Sequence, residues 1–168
     1  MSLFIIKSPE EVVQYLNKLF DPLIDIVNAH NGIINKFLCD GFMAVFDAPL
    51  TTANDVQSAV QAGLAIIEQV KALSDSGAIV PTTISIGLHL GEVVTGNVGS
   101  EQRKEYTVVG DTVNLAARIE HLNKRYQSQL LVSESVWEAV ADARFDWELL
   151  EAVRVRGRVE EIRIYKLA

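Results

Sequence analysis

The chain has 168 residues, 49% of them apolar, and carries 15 basic against 22 acidic side chains for a net charge of −7. That length supports one domain with its own core, and the acidic balance excludes nucleic-acid binding through a general basic face. It does not exclude a nucleotide, whose phosphates a cation and a few placed Arg or Lys neutralise locally. The single Cys39 cannot form an internal disulfide, which points to a reducing compartment and a cytoplasmic location. No apolar run approaches the roughly 20 residues of a membrane span, so no membrane contact is expected from this domain. Leu3 to Ile6 is too short for the apolar core of a signal peptide.

Ser8-Pro9-Glu10-Glu11 predicts a helix start, with Ser8 as cap, Pro9 in the first turn and Glu11 closing a capping box. Val12, Leu16, Leu19, Phe20, Leu23 and Val27 continue at helical spacing. Pro22 is expected to kink or divide that helix, and Asn31-Gly32 to stop it. Two strands follow, at about 33–38 and 42–46, joined by Asp40-Gly41 as a two-residue hairpin turn with φ > 0. Thr52 to Leu73 reads as a second amphipathic helix. Thr82 to Leu90 reads as a strand that turns at Gly91-Glu92 and resumes over Val93 to Val98. Tyr106 to Val109 is a short strand, and helix resumes from about Thr112 to Tyr126, capped by Asp111 or Thr112. Leu130 to Val132 is a strand, and Ser133 caps a short helix containing Trp137. Phe145 to Leu167 looks like strands with a turn at Arg156-Gly157-Arg158. This order predicts an α/β (α+β) sandwich, one mixed sheet with helices mainly on one face.

Chemistry-bearing residues gather in two stretches. In KFLCDGFMAVF, Lys36 and Asp40 share strand parity. Pattern alone makes Asp40 a turn residue and Lys36 an exposed edge residue. In GNVGSEQRKEYTVVGDTVNLAARIE, Asn114 and Arg118 are one helical turn apart near a helix N-terminus. An amide, a guanidinium and a positive helix end suit a polyanion or a developing oxyanion. A solvated face with an Arg–Glu pair fits the same spacing. His89 lacks a Cys, His or acidic partner at ligand spacing and is expected to be structural. Cys39 has no neighbouring base to make it a nucleophile. There is no P-loop, no G-x-S-x-G and no paired zinc spacing.

Taken together, SPEEVVQYLNKLF, INKFLCDGFMAVFDAP, ISIGLHLGEVVTGNVGSEQRKEYTVVGDTVNLAARIE and the terminal VRGR resemble the class III adenylyl/guanylyl cyclase catalytic domain, over about residues 8–168. The resemblance implies a ferredoxin-like βαββαβ core of the class III cyclase fold. It implies conversion of a nucleoside triphosphate to a 3′,5′-cyclic nucleotide and pyrophosphate, with two divalent cations, Mg²⁺ or Mn²⁺, at a head-to-tail dimer interface. By position, Asp40 looks like a metal aspartate, Asn114 like the ribose-positioning asparagine, and Arg118 like the arginine that stabilises α-phosphate charge. Lys36 and Thr107 fall where the family reads the purine, and lysine with threonine there goes with adenine, implying ATP and a bacterial-type adenylyl cyclase. Arg158 sits near the family's basic residue for the terminal phosphates, with Arg156 a competing alignment. The partner is expected to be a second copy or another cyclase domain. Two departures stand out. Cys39 replaces a usual glycine, and the family's strand with its first metal aspartate, F-x-D-I-x-G-F, has no counterpart before Ser8, where only MSLFIIK stands. The alternatives are a cyclase-homology module without turnover and a guanylyl cyclase, the latter disfavoured by Lys36.

Overall fold

The computed structural model of the chain describes residues 8–47, 52–100, 104–140, 145–150, 152–154 and 161–168. Helix α1 (Pro9–Ala29) opens with the predicted capping box: Glu11 N–H donates to Ser8 Oγ at 3.3 Å, and Ser8 N–H donates to Glu11 Oε2 at 2.9 Å. Pro22 does not divide it. Leu19 precedes Pro22, Leu23 and Val27 follow, and all three are buried on one stripe. Each contributes about 1.5–3 kcal/mol by burial, more in sum than the roughly 3 kcal/mol an interior proline costs.

Strands β1 (Gly32–Leu38) and β2 (Gly41–Phe46) form the predicted antiparallel hairpin, but its turn differs. Leu38 pairs with Gly41, so the loop is Cys39-Asp40 rather than Asp40-Gly41, and neither Cys39, Asp40 nor Gly41 has a positive φ. Register is set by packing instead of turn preference. Phe37 pairs with Phe42, and both rings lie on Phe20 of α1, at 5.8 and 5.9 Å between centroids. A bulge at Asn35 lets Ile34 as well as Phe37 face that helix, and puts Lys36, opposite Met43, on the other face.

Helix α2 (Asp55–Asp75) packs on α1, sharing a core of Leu19, Leu23, Val27, Ile66, Val70 and Ile79. The long strand expected from Thr82 is only β3 (Ile86–Leu88), and Gly91-Glu92 does not close a hairpin. Instead β4 (Val94–Gly99) pairs with β5 (Lys104–Val109). Helix α3 (Asp111–Tyr126) follows, then β6 (Leu130–Ser133), α4 (Glu134–Ala139), β7 (Glu148–Leu149), β8 (Val153–Arg154), β9 (Glu161–Ile162) and β10 (Ile164–Lys166). The turn expected at 156–158 lies outside the described residues.

A mixed four-stranded sheet runs β3-β6-β10-β7, with β3 and β6 parallel and the other pairs antiparallel. Along β6 the side chains alternate between two cores. Leu130 and Val132 pack with Val60 of α2 and Val136 of α4, whereas Leu131 packs with Leu115 and Ile119 of α3. Thus α2 and α4 cover one face, α1 lies against α2, and among the described helices α3 covers the other. The β1–β2, β4–β5 and β8–β9 ladders are separate two-stranded sheets among the described residues.

Candidate functional site

Asp40 is exposed at the tip of the β1–β2 hairpin and Lys36 is exposed on β1. Strand β5 packs beside β1 and carries Thr107, half-buried opposite Gly96. Through Gly110, β5 runs directly into α3, which carries exposed Asn114 and half-buried Arg118 one turn further on. No hydrogen bond or ion pair joins Lys36, Asp40, Thr107, Asn114 and Arg118 to one another among the described residues. Arg158 and its competitor Arg156 lie outside the described residues. Of the five described candidates, Lys36, Asp40 and Asn114 are exposed and Thr107 and Arg118 are half-buried. An open groove of about 770 Å³ near the start of α3 is lined by Asp47, residues 90–94, Val109 and Gly110, and includes none of them.

Helix α3 is anchored to the sheet by features the sequence reading missed. Gly87 lets α3 lie directly on β3, since a Cβ there would overlap the backbone of Ala116 and Glu120. Asn123 is fully buried: its Nδ2 donates to Ile86 O at 2.9 Å and to Glu120 O at 3.0 Å, and its Oδ1 accepts from Ser128 Oγ at 2.8 Å. The available signal was its spacing, since Asn123 continues the stripe of Leu115 and Ile119 at intervals of four. The expected cap is also corrected. Gly110 is the N-cap and, having no side chain, offers no side-chain cap bond, while Thr112 Oγ1 donates across to Glu92 O at 2.6 Å.

Glu120 connects hairpin and helix electrostatically. Burial raises its carboxyl above the ordinary value of 4.5, the negative charge of Asp40 adds to that rise, and His121 opposes it. His121 Nδ1 lies 3.0 Å from Glu120 Oε2. A raised folded value means the folded state binds the proton more tightly. Glu120 therefore supports folding below 4.5, and that support is lost as pH rises through the raised value. Glu120→Gln is expected to raise Tm at pH 7.5 by about 2 °C and to leave it unchanged at pH 4. The effect is small because 38% of the side chain stays exposed. Thermal melts at the two pH values check it, and an equal shift at both would contradict the burial argument.

A hard divalent cation needs oxygen ligands, and Asp40 offers an exposed carboxylate. No group of three His, Cys, Asp or Glu residues that could hold a metal ion occurs among the described residues. The described donors are therefore fewer than a two-ion site requires.

A mixed sheet with one helix lying directly on it, flanked by a hairpin bearing a tip carboxylate, is the layout of a class III nucleotide cyclase domain. The family model for the adenylate and guanylate cyclase catalytic domain matches residues 1–168, and the chain belongs to that family. Adenylate cyclase 1 of Rhizobium meliloti is 33% identical over 164 residues, 96% of this chain and 24% of that protein. An uncharacterized protein of Mycobacterium tuberculosis is 38% identical over 157 residues, 92% of this chain and 26% of that protein. The chain thus spans about a quarter of the length of these curated relatives. Among solved structures, the guanylyl cyclase Cya2 superposes with a TM-score of 0.86 at 33% identity, over 97% of this chain and 83% of that one. The adenylyl cyclase CyaB from P. aeruginosa superposes with a TM-score of 0.84 at 26% identity, over 97% and 85%. No helix among the described residues is long and apolar enough to cross a membrane.

Proposed function

We propose that residues 1–168 form a single catalytic domain that converts ATP to 3′,5′-cyclic AMP and pyrophosphate, at the interface of two copies in the cytoplasm. The observation that carries this reading is the continuity of the polar residues. The hairpin with Lys36 and Asp40 packs beside the strand with Thr107, which leads through Gly110 into the helix with Asn114 and Arg118. Lys36 donates to adenine N1, and the Thr107 hydroxyl accepts from the 6-amino group. Asn114 orients the ribose, Arg118 stabilises charge on the α-phosphate, and Arg158 holds the terminal phosphates. Asp40 would ligate Mg²⁺ or Mn²⁺, which when bound neutralises triphosphate charge. The openness of the constellation supports a site completed by a second copy, as do the exposed apolar side chains on the two hairpins, Phe37, Leu38, Val94 and Val109.

Lys36→Glu combined with Thr107→Cys tests the base assignment. The expected result is a fall in kcat/KM for ATP of about 10–100-fold relative to GTP, read in parallel assays with Mn²⁺. An unchanged preference for ATP would show that Lys36 and Thr107 do not read the purine. A second reading is a cyclase-homology module without turnover, since among the described residues no group of three His, Cys, Asp or Glu gathers to hold a metal ion. Absence of cyclic nucleotide formation from the intact protein with Mn²⁺ and either ATP or GTP would establish that reading over the first.

A further inference from the structure

Strands β3 and β6 are parallel, with Leu88 opposite Val132, so His89 and Ser133 emerge side by side at their C-terminal ends. His89 Nδ1 lies 2.8 Å from Ser133 Oγ. Ser133 Oγ lies 2.9 Å from Ser135 Oγ, Ser135 Oγ also lies 3.4 Å from His89 Nδ1, and Ser135 Oγ donates to Leu90 O at 2.9 Å. Counting protons sets the direction of this chain. The Ser135 proton is used on Leu90 O, so the contact between the two serines needs the Ser133 proton. The contact between His89 and Ser133 then needs a proton on Nδ1. With the proton on Nδ1, His89 donates to Ser133, the nearer of the two serines it contacts, Ser133 to Ser135, and Ser135 to Leu90 O. Ser133 is the N-cap of α4, yet its side chain makes no cap bond, in keeping with a hydroxyl already engaged.

The relay holds the turn after β3, and that turn holds the start of α3. A Cβ on Gly91 would lie 2.7 Å from Thr112 Oγ1 and 3.3 Å from His89 Nε2, so turn, imidazole and Thr112 are in close register. The next carbonyl, Glu92 O, accepts from Thr112 Oγ1 at 2.6 Å. Further along, α3 is held independently, by Gly87 and by Asn123. Asn114 stands two residues beyond Thr112.

We propose that His89 is a positioning residue: through Ser133, Ser135 and the 90–92 turn it sets Thr112, and with it the first turn of α3 and the aim of Asn114 at the nucleotide. This rests on the reading of Asn114 as ribose-orienting. The test combines amide hydrogen exchange, kinetics and NMR on the intact protein. His89→Ala and the milder Ser135→Ala are expected to speed exchange at Val113, Asn114 and Leu115 about tenfold, with residues 119–126 unchanged. His89→Asn, whose Nδ2 replaces the Nδ1 donor, is expected to restore exchange to within about twofold of the parent. With ATP and Mn²⁺, His89→Ala should lower kcat about tenfold while KM stays within about twofold. The imidazole nitrogen shifts should show the proton on Nδ1. Exchange that rises equally through β3, β6 and α3, or not at all, overturns the inference, as does an unprotonated Nδ1. An Asn114→Ala protein with parental turnover, beside a first-turn exchange effect in His89→Ala, overturns the role of Asn114 and leaves the relay standing.

Discussion

Arg118→Ala is expected to lower kcat for cyclic AMP formation by about 10²–10³-fold, the usual loss when a group aimed at transition-state charge is removed. Its Tm should move by no more than about 2 °C, as for a surface change away from the core. The two halves of this expectation have separate grounds. The guanidinium makes no hydrogen bond or ion pair among the described residues, so no described polar contact depends on it. Its helix is fixed elsewhere, by Leu115, Ile119 and Asn123, all fully buried. Arg118→Lys should recover only part of the rate, because an ammonium keeps the charge but not the two-pronged geometry. Turnover assays beside thermal melts check both halves. Parental turnover in Arg118→Ala would remove the residue from the site, and a large fall in Tm would assign it to the fold instead.

Gly87→Ala should have the largest effect on stability of any single methyl added to the chain's central sheet. The new Cβ would overlap the backbone of α3 at Ala116 and Glu120, where no side-chain rotation relieves it. Either α3 lifts from β3 or the sheet gives way, and overpacking of this kind costs about 3 kcal/mol. For a domain of this size that corresponds to a drop in Tm of about 6–12 °C. Because α3 carries Asn114 and Arg118, any protein that still folds should lose turnover as well. Calorimetry and denaturant titration measure the first effect. A variant of parental stability would mean that α3 does not lie on β3 at this distance.

Much of the local structure was legible before any folding was considered. The capping box at Ser8 and Glu11, the stripe of Leu19, Leu23 and Val27, and the existence of a hairpin around Asp40 rest on short-range spacing. Where local rules failed, long-range packing outweighed them. Asp-Gly asks for a tight turn with φ > 0, but tilted and edge-on packing of Phe37 and Phe42 against Phe20 goes with a loop at Cys39-Asp40. Pro22 asks for a break, but burial on both sides kept α1 whole. Gly91-Glu92 looked like a hairpin turn because alternation continues on both sides. Its segments instead found separate partners, β3 beside β6 and β4 beside β5, and the glycine serves contact with Thr112.

The candidate site divides in the same way. Residue types and order along the chain sufficed to recognise the cyclase family, because the motif YTVVGDTVNLAAR is contiguous, and that resemblance singled out Lys36, Asp40, Thr107, Asn114 and Arg118 as site candidates. What holds those residues could not be read there. The anchors of α3 are Gly87, Asn123, Thr112 and the relay from His89, and each acts across a separation of strands or helices. Sequence by itself determined the family, the helices and the chemistry on offer, since these depend on residue identity and spacings of three or four positions. Only the tertiary structure decided the register of the hairpin, the pairing of β3, and the seat of α3. Those are settled by which buried surfaces and backbone atoms meet, and neighbours in sequence carry no record of that.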